Sequence, residues 1–253
     1  MKILITGANG FIGKHLSKKL LSNGYKICTI LRNESTAAEM KKRGINYFAD
    51  RGNTEELIEY FKKEKFDGCI HLASCFIVEH KSAEITDLIN SNLLFSTRVL
   101  EASVKADINW FINTGTFWQH YENKEYSPVN LYAATKQAFE AVIRYYLDIS
   151  SINIVTLKLN DTYGPEDTRP KIFRLWRDIA ESGDFMEMSP GEQLVDFLYV
   201  DDVIDAYIRM MEILKNEAAG NFRGKSYAVS SGSPVTLKEL AELFSRVTKK
   251  SSI

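Results

Sequence analysis

The chain is 253 residues long, 45% hydrophobic and 26% charged, with a formal net charge of −1. That size accommodates one large domain or a domain with a smaller lobe, and near-neutrality excludes the basic footprint of a protein whose main partner is nucleic acid. No apolar run approaches the ~18 residues of a membrane span, and the first strand begins at residue 3, so neither membrane nor signal peptide is expected.

Ile3, Leu4 and Ile5 open the chain as a short apolar strand. Gly7, Gly10 and Gly13 follow at three-residue intervals, and Ile12, Leu16, Leu20 and Leu21 repeat with helical spacing until Ser22-Asn23-Gly24 stops the helix. A second strand, Lys26 to Leu31, ends in Arg32-Asn33, and a short polar helix around Thr36–Arg43 leads to a third strand, Ile45 to Phe48. Thr54–Lys65 is amphipathic through Leu57, Ile58 and Phe61, and Gly68–Ser74 reads as a buried fourth strand. A long helix over Ala83–Lys105, a strand over Ile108–Asn113, a helix over Leu131–Asp148 and a strand over Ile152–Leu159 continue the alternation. Strands and helices alternating at this spacing mean βαβ units and a parallel sheet, an α/β fold. The pattern then loosens: a loop at Asp161–Pro170, a helix at Lys171–Ser182, a strand at Leu194–Tyr199 and a helix at Asp201–Leu214. A last strand, Ser226–Val229, and helix, Thr236–Val247, finish the chain, with no repeat or low-complexity linker. Cys28, Cys69 and Cys75 are odd in number and lack metal-ligand spacing, so they read as reduced thiols of a cytoplasmic protein. The four histidines show no metal-type spacing either, and His71, in an apolar strand, reads as a hydrogen-bonded core residue.

A strand, a glycine-rich turn and a helix N-terminus in that order make a pyrophosphate site. Glycines let the backbone approach the phosphates, and the free N–H groups and dipole of the helix face the negative charge. At the end of the second strand an acidic residue would bind the ribose of NAD; here Arg32 stands there and suits the 2′-phosphate of NADP. NADP(H) is therefore expected, with NAD as the alternative. Tyr132-Ala-Ala-Thr-Lys136 places a phenol and an ammonium four residues apart on one helical face, where the cation would lower the phenol's pKa. With 12 tyrosines in the chain such a pair arises about once by chance. Its place after the polar strand end Thr114-Gly115-Thr116 makes it informative, because a hydroxyl there would hold a carbonyl oxygen beside the tyrosine.

Thr6-Gly-Ala-Asn-Gly-Phe-Ile-Gly13, Asp50, His71-Leu-Ala-Ser74, Asn92, Thr116, Pro128–Lys136, Tyr163-Gly-Pro165 and Asp196–Asp202 occur in this order. The set resembles the extended short-chain dehydrogenases/reductases, which act mostly on nucleotide sugars. Within that family, Gly191–Phe197 is most similar to the CDP-abequose and CDP-paratose synthase type of reductase. The resemblance implies a Rossmann-type doubly wound sheet over residues 1–160, with a small substrate-binding lobe, residues 161–253, interleaved with it. Thr116, Tyr132 and Lys136 take the places of the family's catalytic triad. The cofactor would be held by Thr6, Gly7, Gly10, Phe11, Ile12, Gly13, Arg32, Asp50, Arg51, Leu72, Ala73, Ser74, Asn92, Tyr132 and Lys136, with Asp50 meeting the adenine and Lys136 the nicotinamide ribose. Thr116, Phe117, Asp161 and Arg174 would contact the substrate, and a homodimer would form through the helices at Ala83–Lys105 and Leu131–Asp148. Two departures matter. Phe117 and Trp118 replace the Asp-Glu pair of family dehydratases, and Val195 replaces an arginine that grips the pyrophosphate; Arg169, Lys171, Arg174 and Arg177 could take that arginine's role or simply form a wet helix face. The implied reaction is reduction by NADPH of the C4 ketone of a CDP- or dTDP-linked 4-keto-deoxysugar. A 4-epimerase with tightly held NAD and a catalytically idle NADP-binding sensor or scaffold are the alternatives. No metal is expected.

Overall fold

The structure, a computed structural model, describes residues 1–183 and 190–249. In chain order it contains β1 (Lys2–Thr6), α1 (Phe11–Ser22), β2 (Lys26–Leu31), α2 (Ala37–Lys42), β3 (Asn46–Ala49), α3 (Thr54–Glu64) and β4 (Gly68–His71). Then come α4 (Ile85–Ile89), α5 (Ser96–Lys105), β5 (Trp110–Thr116), α6 (Leu131–Ile149), β6 (Asn153–Leu159) and β7 (Asp161–Tyr163). The remainder is α7 (Ile172–Ser182), β8 (Leu194–Val195), β9 (Phe197–Tyr199), α8 (Val200–Leu214), β10 (Ser226–Val229), β11 (Val235–Thr236) and α9 (Leu237–Thr248).

Seven strands pair in parallel in the order β10-β6-β5-β4-β1-β2-β3. The direction of winding reverses between β1 and β4, which opens a crevice at the carboxyl ends of those strands, where doubly wound sheets bind ligands. Both faces of the sheet are covered, as strict alternation dictates. Ile3 and Ile5 of β1 join Leu16 and Leu20 of α1 and Val203 and Tyr207 of α8 in one core. Leu4 points to the other side, with Leu57 and Phe61 of α3, Val99 of α5, Phe111 of β5 and Phe139 and Ile143 of α6.

Local signals set the helix ends. Asn53 caps α3 by accepting from the N–H groups of Glu55 and Glu56, two acidic residues suited to a first turn, and Asn130 caps α6 through Ala133 N–H. The single helix expected over Ala83–Lys105 is instead a 3₁₀ turn, α4, a π-helical turn at Asn90–Phe95, and α5. Such turns are frequent at functional sites; here it buries Ser91 and Asn92, which brace the crevice described below. The expected strand at Gly68–Ser74 ends at His71, because Leu72 and Ala73 leave the ladder to hydrogen-bond Thr6 O and Oγ1. Asp161–Tyr163, expected as loop, is strand β7 and pairs in parallel with β9. The expected strand at Leu194–Tyr199 breaks at Asp196 into β8, antiparallel to β11, and β9.

Candidate active site

The glycine turn has no room for side chains. Gly7 has a φ of +73°, and a Cβ there would lie 2.8 Å from Ala73 N. A Cβ on Gly13 would fall 2.1 Å from Gly7 O, so α1 starts with the turn pressed against it. No side chain caps α1 at Gly10, and no acidic residue stands in its first turn. Its first N–H groups and the positive end of its dipole therefore remain available to an anion. Two cavities meet at this turn, one of about 230 Å³ running to Thr116, Tyr132 and Lys136 and one of about 300 Å³ running to β2; Gly7, Gly10, Leu72 and Ser74 line both. That is the layout of a dinucleotide with its pyrophosphate on the turn.

The β2 cavity is lined by Arg32, Asn33, Ser35, Thr36, Ala73 and Phe95 among others. Arg32 lies over the Phe95 ring at 5.5 Å and donates to Ser91 Oγ at 2.8 Å. The Thr36 hydroxyl is buried with no hydrogen-bond partner among the described residues. A cation beside an orphaned buried hydroxyl fits a phosphate. Asp50 is placed differently: both of its oxygens accept from Arg98, at 2.9 and 2.8 Å, and neither Asp50 nor Arg51 lines either cavity. Thr6 acts beneath the turn, its hydroxyl shared by His71 Nδ1 at 2.8 Å and Ala73 N–H at 3.2 Å. His71 also bonds Ser96 Oγ at 2.8 Å, and burial, with Lys136 and Arg32 adding to it, holds its pKa well below the usual histidine value. It is a satisfied core histidine, and among the described residues no three or more His, Cys, Asp or Glu side chains are grouped so as to hold a metal ion.

Thr116, Tyr132 and Lys136 share the other cavity with Phe11, Ile12, Ser74, Phe76, Trp118 and Asp161. β5 ends at Thr116, whose Oγ1 accepts from Trp118 N–H at 3.3 Å, leaving the hydroxyl proton free to donate. Tyr132 packs edge-on against Phe76 at 5.0 Å. Asn92 ties the π-turn to both sides of the cleft: it accepts from Ser74 Oγ and Cys75 N–H and donates to Cys75 O and Thr135 Oγ1. The expected lowering of the tyrosine's pKa by Lys136 is not found. Burial pushes the Tyr132 phenol up to about 12, with a Ser74 hydrogen bond and Arg169 pulling it down and Asp161 pushing it up. Burial also draws the Lys136 ammonium down to about 8, against the opposing pull of Glu140. The physical reason is that both groups sit in apolar surroundings, where desolvation of the charged form outweighs a neighbouring charge.

On the substrate side, Asp161 lines the cleft and Phe117 does not; its neighbour Trp118 does. Arg174 is also outside, bonded to Thr168 O and lying 3.6 Å from Asp178, as is Arg177, likewise against Asp178. Of the four candidate cations, Arg169 and Lys171 line the cleft. Arg169 stacks over Phe11 at 4.3 Å and is held by Asp167 and by Thr162. Lys171 donates to Asp161 at 2.7 Å. Behind Thr116 lies a polar chain that periodicity did not reveal: Gln119, Glu140 and Lys158, all largely buried. The one available signal was Glu140, a carboxylate four residues after Lys136 on a helix whose neighbouring positions are apolar.

The family model for the NAD dependent epimerase/dehydratase family matches residues 3–223. CDP-abequose synthase of Salmonella typhimurium is 28% identical over 244 residues, covering 94% of this chain and 77% of that protein. Protein CapI of Staphylococcus aureus is 27% identical over 278 residues, covering 96% of this chain and 81% of that one. Among solved structures, UDP-glucose 4-epimerase of Thermotoga maritima with UDP-glucose superposes with a TM-score of 0.86 at 23% identity, over 100% of this chain and 84% of that one. UDP-glucuronic acid 4-epimerase of Bacillus cereus, in complex with UDP-glucuronic acid and NAD, gives a TM-score of 0.83 at 24% identity, over 100% and 84%.

Proposed function

The chain belongs to the NAD dependent epimerase/dehydratase family, and from that premise we propose that it reduces the C4 ketone of a nucleotide-linked 4-keto-deoxysugar with NADPH. The observation that carries this reading is the wall formed by Thr116, Tyr132 and Lys136 beside the open start of α1. Gly7, Gly10 and Gly13 and the N–H groups of Phe11 and Ile12 would receive the pyrophosphate, with Thr6, Leu72, Ala73 and Ser74 closing the turn. Arg32 and the unpartnered Thr36 hydroxyl would take the 2′-phosphate. NADPH, when bound, supplies a hydride.

The residues supply the rest. Thr116 Oγ, its proton free, donates to the carbonyl oxygen and polarises it. Tyr132, with a pKa of about 12, stays protonated at neutral pH and holds the proton that the new alkoxide needs. That state suits reduction; oxidation of an alcohol would need the phenolate first. Lys136, at about 8, remains mostly cationic near neutrality and offsets charge developing on the tyrosine. Phe117 and Trp118 offer no acid or base for removing a hydroxyl, which argues against dehydration. Arg169 and Lys171 supply the positive charge for the substrate's diphosphate. The similarity to CDP-abequose synthases supports a sugar nucleotide of CDP type. A homodimer through α4 and α6 is supported by exposed Ile85, Ile89, Leu94, Tyr145 and Ile149.

The test is incubation with NADPH and a CDP- or dTDP-linked 4-keto-6-deoxysugar. NADPH consumption with a C4 alcohol as product is expected. Stoichiometric NAD in the purified protein, with exchange of C4 epimers and no net cofactor consumption, would support the 4-epimerase instead. Tight NADP(H) binding with no turnover of any sugar nucleotide would leave a sensor.

A further inference from the structure

Glu140 stands one helical turn after Lys136 on α6, in a place where the reaction itself has no use for a carboxylate. Its side chain is 15% exposed. One oxygen accepts from Gln119 Nε2 at 2.8 Å, and the other lies 3.2 Å from Lys158 Nζ on β6. Gln119, fully buried, uses its carbonyl to accept from Thr116 N–H at 2.9 Å, and its amide also donates to Gln137 at 2.6 Å. The chain passes directly behind Gly115, where a Cβ would stand 2.9 Å from Lys158 Cγ and 3.0 Å from Gln119 Oε1. Lys158 ends the chain on His120 Nε2 at 2.7 Å. An ammonium only donates, so this ring nitrogen accepts and His120 Nδ1 carries the hydrogen that meets Lys124 O.

The largely buried Glu140 carboxylate is ion-paired with Lys158 and stands four residues, one helical turn, from the buried Lys136 on the same face of α6. Replacing it removes the one group of opposite charge that works against the desolvation of Lys136. We infer that Glu140 is a positioning residue of the active site: it keeps Lys136 cationic and, through Gln119, fixes the backbone of Thr116, while Lys158 moderates its charge. The inference rests on the reading of Thr116, Tyr132 and Lys136 as the catalytic wall. The other charged or titratable groups around Lys136 are Tyr132 on its own helix, His71 on β4, and Asp161, Arg169 and Lys171 across the cleft. None of them touches Glu140, so the two variants below alter one arm only.

The experiment is the titration of Lys136 by NMR in lysine-labelled, cofactor-free protein, its signal identified by its loss in Lys136→Met. Glu140→Gln keeps the shape and the acceptor for Gln119 and removes the charge, so the Lys136 midpoint moves down by about 1 pH unit, the low end for a close opposite charge. Lys158→Met leaves Glu140 unneutralised, so the midpoint moves up. A structural role alone would give no such opposed pair. An unmoved midpoint in Glu140→Gln, or movement in the same direction in both variants, overturns the inference. Should Lys158→Met fail to fold, the Glu140→Gln shift decides alone, with its melting temperature measured beside it. The two levels separate cleanly: if Lys136→Met reduces a ketosugar at the parent rate, the catalytic reading fails; if it does not, and Glu140→Gln leaves the midpoint in place, only the role of Glu140 fails.

Discussion

The sheet half of the molecule and its C-terminal part hold themselves together by different means. Around β1, β4 and β5 the side chains are apolar and inaccessible, with Ile3, Leu4, Ile5, Phe111 and Phe139 at or near zero exposure. In the C-terminal part the strands outside the seven-stranded sheet are two or three residues long, and α9 has no fully buried residue. Beyond the apolar face of α8 and aromatic contacts such as Tyr163–Phe173 and Phe173–Trp176, charged and polar clips do the joining there. Asp196 accepts from Asn160, Ser230 and Ser231; Arg169 grips Asp167 and Thr162; Lys171 meets Asp161. The contrast assigns labour. On the proposed reading, the packed half fixes the cofactor turn and the wall of Thr116, Tyr132 and Lys136, where small displacements would cost rate. The clipped half carries Arg169 and Lys171, the cations proposed to meet the substrate, and its cohesion depends on charge and so on pH.

The largest effect should come from chemistry in the packed half. Tyr132→Phe removes only a hydroxyl, so kcat should fall by about 10²–10⁴, the worth of one positioned acid, with NADPH affinity measured by titration nearly unchanged. Next is stability. Phe111→Ala should cost about 3–5 kcal/mol in denaturant unfolding, while Phe244→Ala, a half-buried ring against Trp176 on α7, should cost well under that. Equal losses would erase the contrast between the two parts. Arg32→Ala should weaken NADPH by about 1.5–3 kcal/mol, the range for hydrogen bonds to charged groups, and leave NADH untouched; equal losses for both would make Arg32 a surface charge.

Smaller effects belong to the clipped half. Lys171→Met should raise KM for a sugar nucleotide about tenfold, at the scale of one charge-assisted hydrogen bond, whereas Arg174→Glu should not change it. The smallest is acid sensitivity. Burial would raise the Asp196 carboxyl, but hydrogen bonds from Ser230, Ser231 and Asn160 outweigh it and hold the pKa below the ordinary value. A depressed carboxylate contributes stability above its unfolded pKa of about 3.9, and that contribution is lost as pH falls through the folded value. Asp196→Asn should therefore flatten the acid limb of the stability curve measured by thermal melting. An unchanged limb would place the clip elsewhere.

How much of this could be read before the fold was known follows the same division. In the packed half, the continuous apolar run of β1, buried on both faces, and the 3.6-period repeats along α1 are imposed by burial, so Ile3 to Leu20 announced strand, turn and helix directly. In the clipped half, three-residue strands such as Asp161–Tyr163 leave no periodicity; β7 therefore passed as loop. Helical phase alone also left Arg169, Lys171, Arg174 and Arg177 equivalent, because which of them meets the cleft depends on how α7 docks. The Tyr132-Lys136 spacing was legible, but the tyrosine's raised pKa was not, since desolvation belongs to the assembled site. Gln119, Glu140 and Lys158 come from a 3₁₀ turn, a helix and a strand, and only the fold brings them together.

The central claim is that a hydride reaches a sugar carbon beside Tyr132. The most direct measurement uses NADPH carrying deuterium at the transferable position of its nicotinamide, with a nucleotide-linked 4-keto-6-deoxysugar and either the parent protein or Tyr132→Phe. The account predicts deuterium at C4 of the product sugar, one per NADPH consumed, formed by the parent and slowed by about 10²–10⁴ in the variant. Product without deuterium at C4, or a Tyr132→Phe variant that labels the sugar at the parent rate, would contradict it.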